Sequence, residues 1–253
     1  MWTRCFPAMI KARELIREGA IGTPVSVQGD FGWSTEDCGP NDRIWFPQSG
    51  GMTLDIGMYM AQLGQVAFED AELQNVQAMG TLKNGIDHTV LVNCRYSFQN
   101  DGEQFGFLQF LITGQANTEE RVVIQGTKGR IVIDSPAHVP ETIHLIEDKG
   151  RGSSSKTEFK FPLPDYSYTT WNYPGSIGFT HQIKAVGDAL LSGLKECMYY
   201  TLDDSLQVAL ILEQVRQQIV TGDEQRKKSR LPNKAESSSG KSAGSAMPKL
   251  VRC

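Results

Sequence analysis

Two spacings of hydrophobic residues divide the chain into helical and extended regions. Behind Pro7, apolar residues recur at helical spacing, and Gly19 follows them as a C-terminal cap. The helical period returns over residues 179–191 and 202–220. Between these ends, alternation of apolar and polar residues predicts strands. The predicted strands are 24–33, 76–82, 89–98, 105–114, 121–125, 130–134 and 142–147.

The connecting segments have their own signals. A polar, turn-rich loop covers residues 34–49, and Gly50-Gly51 opens a helix that is predicted to continue to about Val66. Gly126-Thr127-Lys128-Gly129 lies between two predicted strands and indicates a tight turn. Beyond residue 220 the chain becomes rich in Ser, Lys, Glu and Pro, so residues 221–253 are predicted to be a mostly disordered tail.

Strands outnumber the helices that could connect parallel neighbours. This order predicts an α+β fold with an open-faced, mainly antiparallel sheet and helices packed on one face. The other face would then need a cover, since an exposed apolar sheet face is a liability. A homodimer formed through the sheet face is the simplest solution.

Composition excludes several classes of protein. The chain has 253 residues, a net charge of −4 and 40% hydrophobic residues, and it carries no long basic run in its folded part. We therefore predict a globular protein that binds neither nucleic acid nor membrane. Five widely spread cysteines and four histidines show neither a disulfide framework nor ligand spacing, which predicts no metal site and a cytoplasmic location.

The stretch from Gly50 to Tyr59 carries the candidate chemistry. Two glycines before a helix allow a ligand to approach the backbone, and Gly57 leaves a low surface that makes room for a substrate or cofactor. Asp55 and Tyr59 are four residues apart, which predicts that they share one helix face. A tyrosine can exchange a proton with a substrate hydroxyl, but it needs a nearby cation to act as a base at neutral pH. The alternative is that Asp55 is a first-turn helix acid and Tyr59 a core aromatic.

The motif GG-x-x-x-D-I-G-x-Y resembles the signature of the glucose-fructose oxidoreductase, inositol dehydrogenase and rhizopine catabolism (Gfo/Idh/MocA) family. Further segments resemble the family in the same order along about residues 2–220: Trp2-Thr3-Arg4-Cys5-Phe6-Pro7-Ala8, Gly19-Ala20-Ile21-Gly22, Asp30-Phe31-Gly32, Gly85-Ile86-Asp87-His88-Thr89 and Gly126-Thr127-Lys128-Gly129. The resemblance implies an NAD- or NADP-dependent dehydrogenase of a polyol, an aldose or a trans-dihydrodiol.

The resemblance also implies roles for individual residues. Tyr59 would exchange the proton, and Asp55 would orient the substrate. Trp2 and Arg4 would lie near both nicotinamide and substrate, and Phe31 and Tyr173 would line the substrate pocket. His138 and Gln182 depart from the family pattern, which bears on the identity of the substrate.

The family's nucleotide-binding half is not in this sequence. Neither its G-x-G-x-x-G phosphate loop nor the E-K-P segment, whose lysine would tune Tyr59, is present. We therefore interpret residues 1–20 as a remnant of a Rossmann domain and residues 21–220 as the substrate-binding and dimerisation domain. This isolated chain is expected to be inactive. The alternative hypothesis is a non-catalytic module that dimerises or binds a ligand.

Overall fold

The computed structural model describes residues 1–98, 104–165 and 170–230. These ranges contain five α-helices and eight strands, and seven of the strands follow one another in a single run. The helices are α1 (Pro7–Arg17), α2 (Met52–Asp55), α3 (Gly57–Ala67), α4 (Phe179–Leu191) and α5 (Leu202–Arg230). The strands are β1 (Pro24–Gly32), β2 (Ala71–Lys83), β3 (Ile86–Phe98), β4 (Phe105–Thr113), β5 (Val122–Gly126), β6 (Gly129–Ile133), β7 (Thr142–Gly150) and β8 (Ser153–Lys160).

All eight strands form one sheet in the order β2-β3-β4-β1-β5-β6-β7-β8. Neighbours are antiparallel except for β1 and β4, which run parallel with Ser26 opposite Phe107 and Gly32 opposite Thr113. Strand β1 therefore lies in the middle of the sheet and joins two runs of hairpins, β2 to β4 and β5 to β8. The prediction of a mainly antiparallel α+β sheet is confirmed.

The core lies between the sheet and helices α3 and α5. Strand β4 shows why, because its residues alternate between buried and exposed: Leu108, Phe110 and Ile112 are fully buried. Helix α3 packs on β1 and β4, and α5 packs on β2 and α3. The opposite face of the sheet is open, and its surface mixes polar side chains with exposed apolar ones such as Met79 and Phe107.

Helix α1 ends as the sequence predicts. Gly19 adopts φ +72°, and the amides of Gly19 and Ala20 donate to the carbonyls of Ile16 and Leu15. This is the left-handed helix end that glycine favours. The turn between β5 and β6 is confirmed as well, since it spans only Thr127 and Lys128.

The predicted single helix from Gly50 to Val66 is wrong. The backbone breaks at Ile56 (φ −130°, ψ −12°), so α2 and α3 are separate helices. The amide of Thr53 donates to Asp87 of β3 at 2.6 Å, whereas Gly57 lies against Leu212 of α5. Helix α2 is bonded to β3 and helix α3 packs on α5, and these different partners account for the break between the two helices.

Two further boundaries differ from the sequence prediction. Strand β8 was not predicted, because its residues are polar and largely exposed at the edge of the sheet. Helix α5 continues to Arg230, so the predicted tail is wrong for residues 221–230; the rest of that segment, 231–253, lies outside the described residues. Within the described ranges, no helix combines the length and hydropathy that crossing a bilayer requires.

Candidate functional site

Tyr59 lies in the first turns of α3, with aromatic rings around it. The indole Nε1 of Trp2 donates a hydrogen bond to the Tyr59 hydroxyl at 3.0 Å, although 57 positions separate the two residues in sequence. The ring of Phe31, from the end of β1, lies 5.4 Å from the Tyr59 ring. Three of the predicted site residues are thus brought together by three different elements.

Trp2 is itself fixed from both sides. Its ring stacks on Phe179 at 4.2 Å and meets Phe6 edge to face at 5.2 Å. Trp2 is only 4% exposed, so its N–H group needs an internal acceptor, and the Tyr59 hydroxyl supplies one. This bond holds the phenol oxygen in a defined position.

Asp55 occupies the last position of α2, on the other side of the break at Ile56. The prediction that Asp55 and Tyr59 share one helix face is therefore wrong as stated. Asp55 accepts from Trp33 Nε1 at 3.2 Å and forms an ion pair with Arg43. The charge of Asp55 makes one of the smaller contributions that raise the pKa of Tyr59.

The two glycine arguments also need correction. A side chain at Gly50 would strike the carbonyl of Ile44, and one at Gly51, which adopts φ +94°, would strike the carboxylate of Asp87. The space beside Gly57 is taken by Leu212. These glycines allow close packing within the protein, and the ligand space that the sequence suggested there is filled.

A carboxylate–histidine pair lies on the far side of Phe31, and sequence reasoning did not identify it as a functional pair. His138 Nδ1 is 2.6 Å from Glu120 Oε2, and the imidazole stacks on Phe31 at 4.7 Å. The same imidazole meets the Tyr59 ring edge to face at 5.5 Å. The structure marks Glu120 by its backbone, which adopts φ +56°, a conformation that is uncommon outside glycine and that the sequence does not reveal.

Tyr173 and Arg4 occupy different positions relative to Tyr59. Tyr173 is half exposed and is near enough to contribute to the pKa of Tyr59. Arg4 is 1% exposed and lies over the Tyr200 ring at 5.6 Å, with its Nη1 donating to Gln62 at 3.4 Å. It faces a cavity of about 680 Å³ that Tyr59 does not line.

A smaller cavity of about 360 Å³ opens beside Tyr59. It is lined by Trp2, Tyr59, Met58, Gln182, Tyr200 and Leu212, among others. Burial raises the pKa of Tyr59, and the Trp2 hydrogen bond lowers it by a smaller amount. The further contributions come from Tyr173, Asp55 and Glu120, and none of these is a cation. Tyr59 is therefore a protonated phenol at neutral pH.

The described residues do not fit the diphosphate of a nicotinamide dinucleotide. Such a group needs a glycine-rich loop between a strand and the N-terminus of a helix. The turn at Gly126–Gly129 joins two antiparallel strands instead, and the Thr127 hydroxyl accepts from the amide of Thr23. We therefore assign no step to a cofactor held by these residues.

Comparison with known proteins identifies a family model and a curated protein that this chain resembles. Residues 9–132 match the family model described as GFO/IDH/MocA C-terminal domain. The chain is 32% identical over 221 residues to the trans-1,2-dihydrobenzene-1,2-diol dehydrogenase of Sus scrofa, which covers 87% of this chain and 61% of that protein. The chain therefore spans less than two thirds of the length of this relative.

Solved structures share the fold at low sequence identity. A levoglucosan dehydrogenase, in a complex with NADH and levoglucosan, has a TM-score of 0.64 and 20% identity, covering 87% of this chain and 62% of that one. The super-repressor mutant of Gal80p from Saccharomyces cerevisiae has a TM-score of 0.66 and 14% identity with the same coverage. Proteins named as an enzyme and as a repressor thus share this fold, so the function has to be argued from the site.

Proposed function

We propose that the chain forms the substrate side of a nicotinamide-dependent oxidoreductase acting on a sugar, a polyol or a trans-dihydrodiol. The match of residues 9–132 to the GFO/IDH/MocA C-terminal domain and the similarity to a trans-1,2-dihydrobenzene-1,2-diol dehydrogenase support this proposal. The observation that carries the proposal is the hydrogen bond from Trp2 to Tyr59 at the edge of a cavity. It fixes a protonated phenol where a small hydroxylated ligand can reach it.

Tyr59 is the proposed proton-exchanging group. In the direction of carbonyl reduction, it gives its proton to the oxygen that becomes the substrate hydroxyl. In the direction of oxidation, the phenolate takes the hydroxyl proton back. Burial raises the pKa of Tyr59, so oxidation at neutral pH needs a cation from outside the described residues. The lysine that the family resemblance implies would have this role.

Asp55 is proposed to orient the substrate. Its two carboxylate oxygens are held by Trp33 and Arg43, and each oxygen keeps a further lone pair that can accept from a hydroxyl. Trp2, Phe31 and Tyr173 would supply apolar surface for the carbon skeleton of the substrate. A role for Arg4 beside the cofactor stays a prediction.

The cofactor, NAD or NADP, is proposed to be held by a polypeptide outside the described residues. Hydride transfer to or from the substrate carbon is the chemistry that it would supply. The levoglucosan dehydrogenase of the same fold was solved with NADH, which supports a nicotinamide cofactor and leaves the choice of nucleotide open.

We also propose a homodimer through the open face of the sheet. Met79, Phe105 and Phe107 are exposed on β2 and β4, where a second copy would bury them. Sedimentation of the chain should give a dimer. Phe107→Glu should shift it to the monomer, whereas Glu158→Gln on edge strand β8 should leave it unchanged.

A non-catalytic module is the second candidate. It is favoured by the absence of a phosphate loop from the described ranges, and by a repressor among the proteins of the same fold. Such a module would bind a sugar or dimerise without moving a hydride.

Binding and turnover distinguish the two candidates. Calorimetry of NAD and NADP with the 253-residue chain should be combined with turnover of D-xylose and of a trans-dihydrodiol. Where turnover is found, Tyr59→Phe should lower it by about 100-fold or more, because proton transfer is lost. Tyr200→Phe removes another phenol from the same cavity and should have a small effect. Sugar binding without cofactor binding or turnover would favour the module.

A further inference from the structure

The pair formed by His138 and Glu120 has no part in proton transfer at Tyr59, yet it lies in the same cluster of rings. Both side chains are mostly buried, with 19% and 15% of their surface exposed. A buried acid bonded to an imidazole fixes which ring nitrogen carries the proton. The question is what the other nitrogen can do.

The backbone holds both partners in place. The amide of Glu120 donates to the Asp30 carboxylate at 2.9 Å, and the Glu120 carbonyl accepts from the amide of Ala137 at 2.8 Å. The carbonyl of His138 accepts from the Thr3 hydroxyl at 2.8 Å. Glu120 keeps its left-handed φ under these constraints, so its carboxylate is directed at one ring nitrogen.

The ring contacts leave one polar atom for a ligand. Phe31 covers a face of the imidazole, while Tyr59 and Trp2 meet it edge to face. Glu120 takes Nδ1 and, as a carboxylate, can only accept, so Nδ1 carries the proton. Within the described residues, Nε2 has no hydrogen-bond partner, and in this tautomer it is an acceptor.

We propose that His138 Nε2 accepts a hydrogen bond from a second substrate hydroxyl, distinct from the one that exchanges its proton with Tyr59, and thereby selects substrates that carry this hydroxyl over their deoxy analogues. The proposal rests on the proposed function, because it places the substrate beside Tyr59. A substrate hydroxyl at this nitrogen replaces a hydrogen bond with water, whereas a C–H group there leaves the nitrogen without one. Glu120 is the positioning residue.

The chain contains a matched control. His144 is bonded through Nε2 to Asp134 at 2.8 Å, so it is the opposite tautomer, with its proton on Nε2. It lies on β7, pairing with the sheet rather than with the rings around Tyr59. One protein therefore holds two histidine–carboxylate pairs of opposite tautomer, only one of them in the candidate site.

Long-range proton–nitrogen NMR of the 253-residue chain tests the proposal directly. With only four histidines, His138→Gln and His144→Gln assign the two signals. We expect an unprotonated Nε2 for His138 and a protonated Nε2 for His144. Adding D-xylose should shift the Nε2 signal of His138 and leave His144 unchanged, and the shift should be lost in Glu120→Gln but not in Asp134→Asn.

The possible outcomes separate this proposal from the proposed function. If D-xylose perturbs Trp2 fluorescence or the Tyr59 signals but not His138 Nε2, the role of His138 is wrong and the proposed function stands. If D-xylose and a trans-dihydrodiol perturb none of these groups, both are overturned. Where turnover is measurable, His138→Phe should lower the preference for D-xylose over the monodeoxy analogue that lacks this hydroxyl by about tenfold, the value of one hydrogen bond; an unchanged preference over every monodeoxy analogue would contradict the proposal.

Discussion

Trp2 and Arg4 stand two residues apart in one short 3₁₀ turn, and they face two very different environments. Around Trp2, the indole nitrogen and the phenol of Tyr59 satisfy each other, and rings pack on both sides. Around Arg4, a buried guanidinium makes one long hydrogen bond to Gln62 and has no carboxylate within ion-pair distance in the described part of the chain. Within the described residues, the same turn thus carries a hydrogen-bonded indole on one side and a buried guanidinium without an ion pair on the other.

Buried polar atoms without a partner show the same difference. Seven side-chain atoms of the described residues are buried and lack a hydrogen-bond partner in the protein. Four of them belong to residues lining the Arg4 cavity: Arg4, Arg13, Gln65 and Tyr96. None belongs to the residues packed around Tyr59. The Tyr59 cluster therefore contains none of these unpaired buried atoms, whereas the four around the Arg4 cavity lower the stability of the fold.

The largest expected effect is at Trp2. Trp2→Ala removes the stacked ring and the hydrogen bond to Tyr59, so it should lower the free energy of unfolding by about 3–5 kcal/mol. Urea denaturation of the 253-residue chain measures this. Trp2→Phe keeps an aromatic ring but has no N–H donor, so it should lower the free energy of unfolding much less. A loss below about 1 kcal/mol for Trp2→Ala would mean that the packing of rings around Tyr59 does not stabilise the fold.

Removing the charge of Arg4 should have the opposite effect on the free energy of unfolding. Burial lowers the pKa of Arg4 to about 10, which means that the fold disfavours its charged form. Arg4→Met keeps most of the volume and removes the charge, so it should leave the free energy of unfolding unchanged or raise it by about 1–3 kcal/mol. The matched variant Arg13→Met breaks an ion pair with Glu69 and should be destabilising. Strong destabilisation by Arg4→Met would reveal a counter-charge that compensates Arg4.

Raising the pH above neutral should also change the free energy of unfolding through Tyr59, by less than the substitution of Trp2 does. Burial raises the pKa of Tyr59, so the folded protein keeps the phenol proton at a pH where the unfolded chain has lost it. The resulting stability is present below about pH 10 and falls as the pH rises towards the folded pKa, by at most about 1.4 kcal/mol per pH unit. Tyr59→Phe should remove this part of the decline. Trp2→Phe, which removes a bond that lowers this pKa, should extend the decline to higher pH.

Arg43 should give the smallest effect. Its side chain is 70% exposed, so Arg43→Gln should cost only about 0.2–1 kcal/mol, although it breaks the ion pair with Asp55. The Trp33 hydrogen bond keeps Asp55 in place. High salt should reduce the difference from the wild type, since exposed pairs are screened. A salt-independent loss above about 2 kcal/mol would show that Arg43 anchors the whole loop.

Sequence periodicity predicted the parts of the fold where one side of an element is buried. Strand β4 and helix α1 were found because their apolar residues recur at the right spacing. Strand β8 gave no such signal, because an exposed edge strand has no buried face. The break at Ile56 could not be read from the sequence either, since its causes, Asp87 and Leu212, are distant in the chain.

The candidate site shows the same limit. The family resemblance predicted roles for Tyr59, Asp55, Trp2 and Phe31. In the structure Trp2 and Phe31 contact Tyr59, whereas Asp55 lies on the other side of the break at Ile56. Glu120 was missed because nothing in its sequence neighbourhood links it to His138, 18 positions away. Arg4 was predicted for the same region, and only the direction of its side chain separates it from Tyr59.

The central position of β1 has a consequence for how the protein is made. Strand β1 carries Phe31, yet both of its partners, β4 and β5, are synthesised much later. As the chain leaves the ribosome, the two hairpin runs can form from local contacts, whereas β1 must wait for Val122–Gly126 before it has neighbours on both sides. Until then this strand is an exposed apolar segment that a chaperone could hold. Assembly of the candidate site around Phe31 is therefore expected to depend on a long-range step of folding.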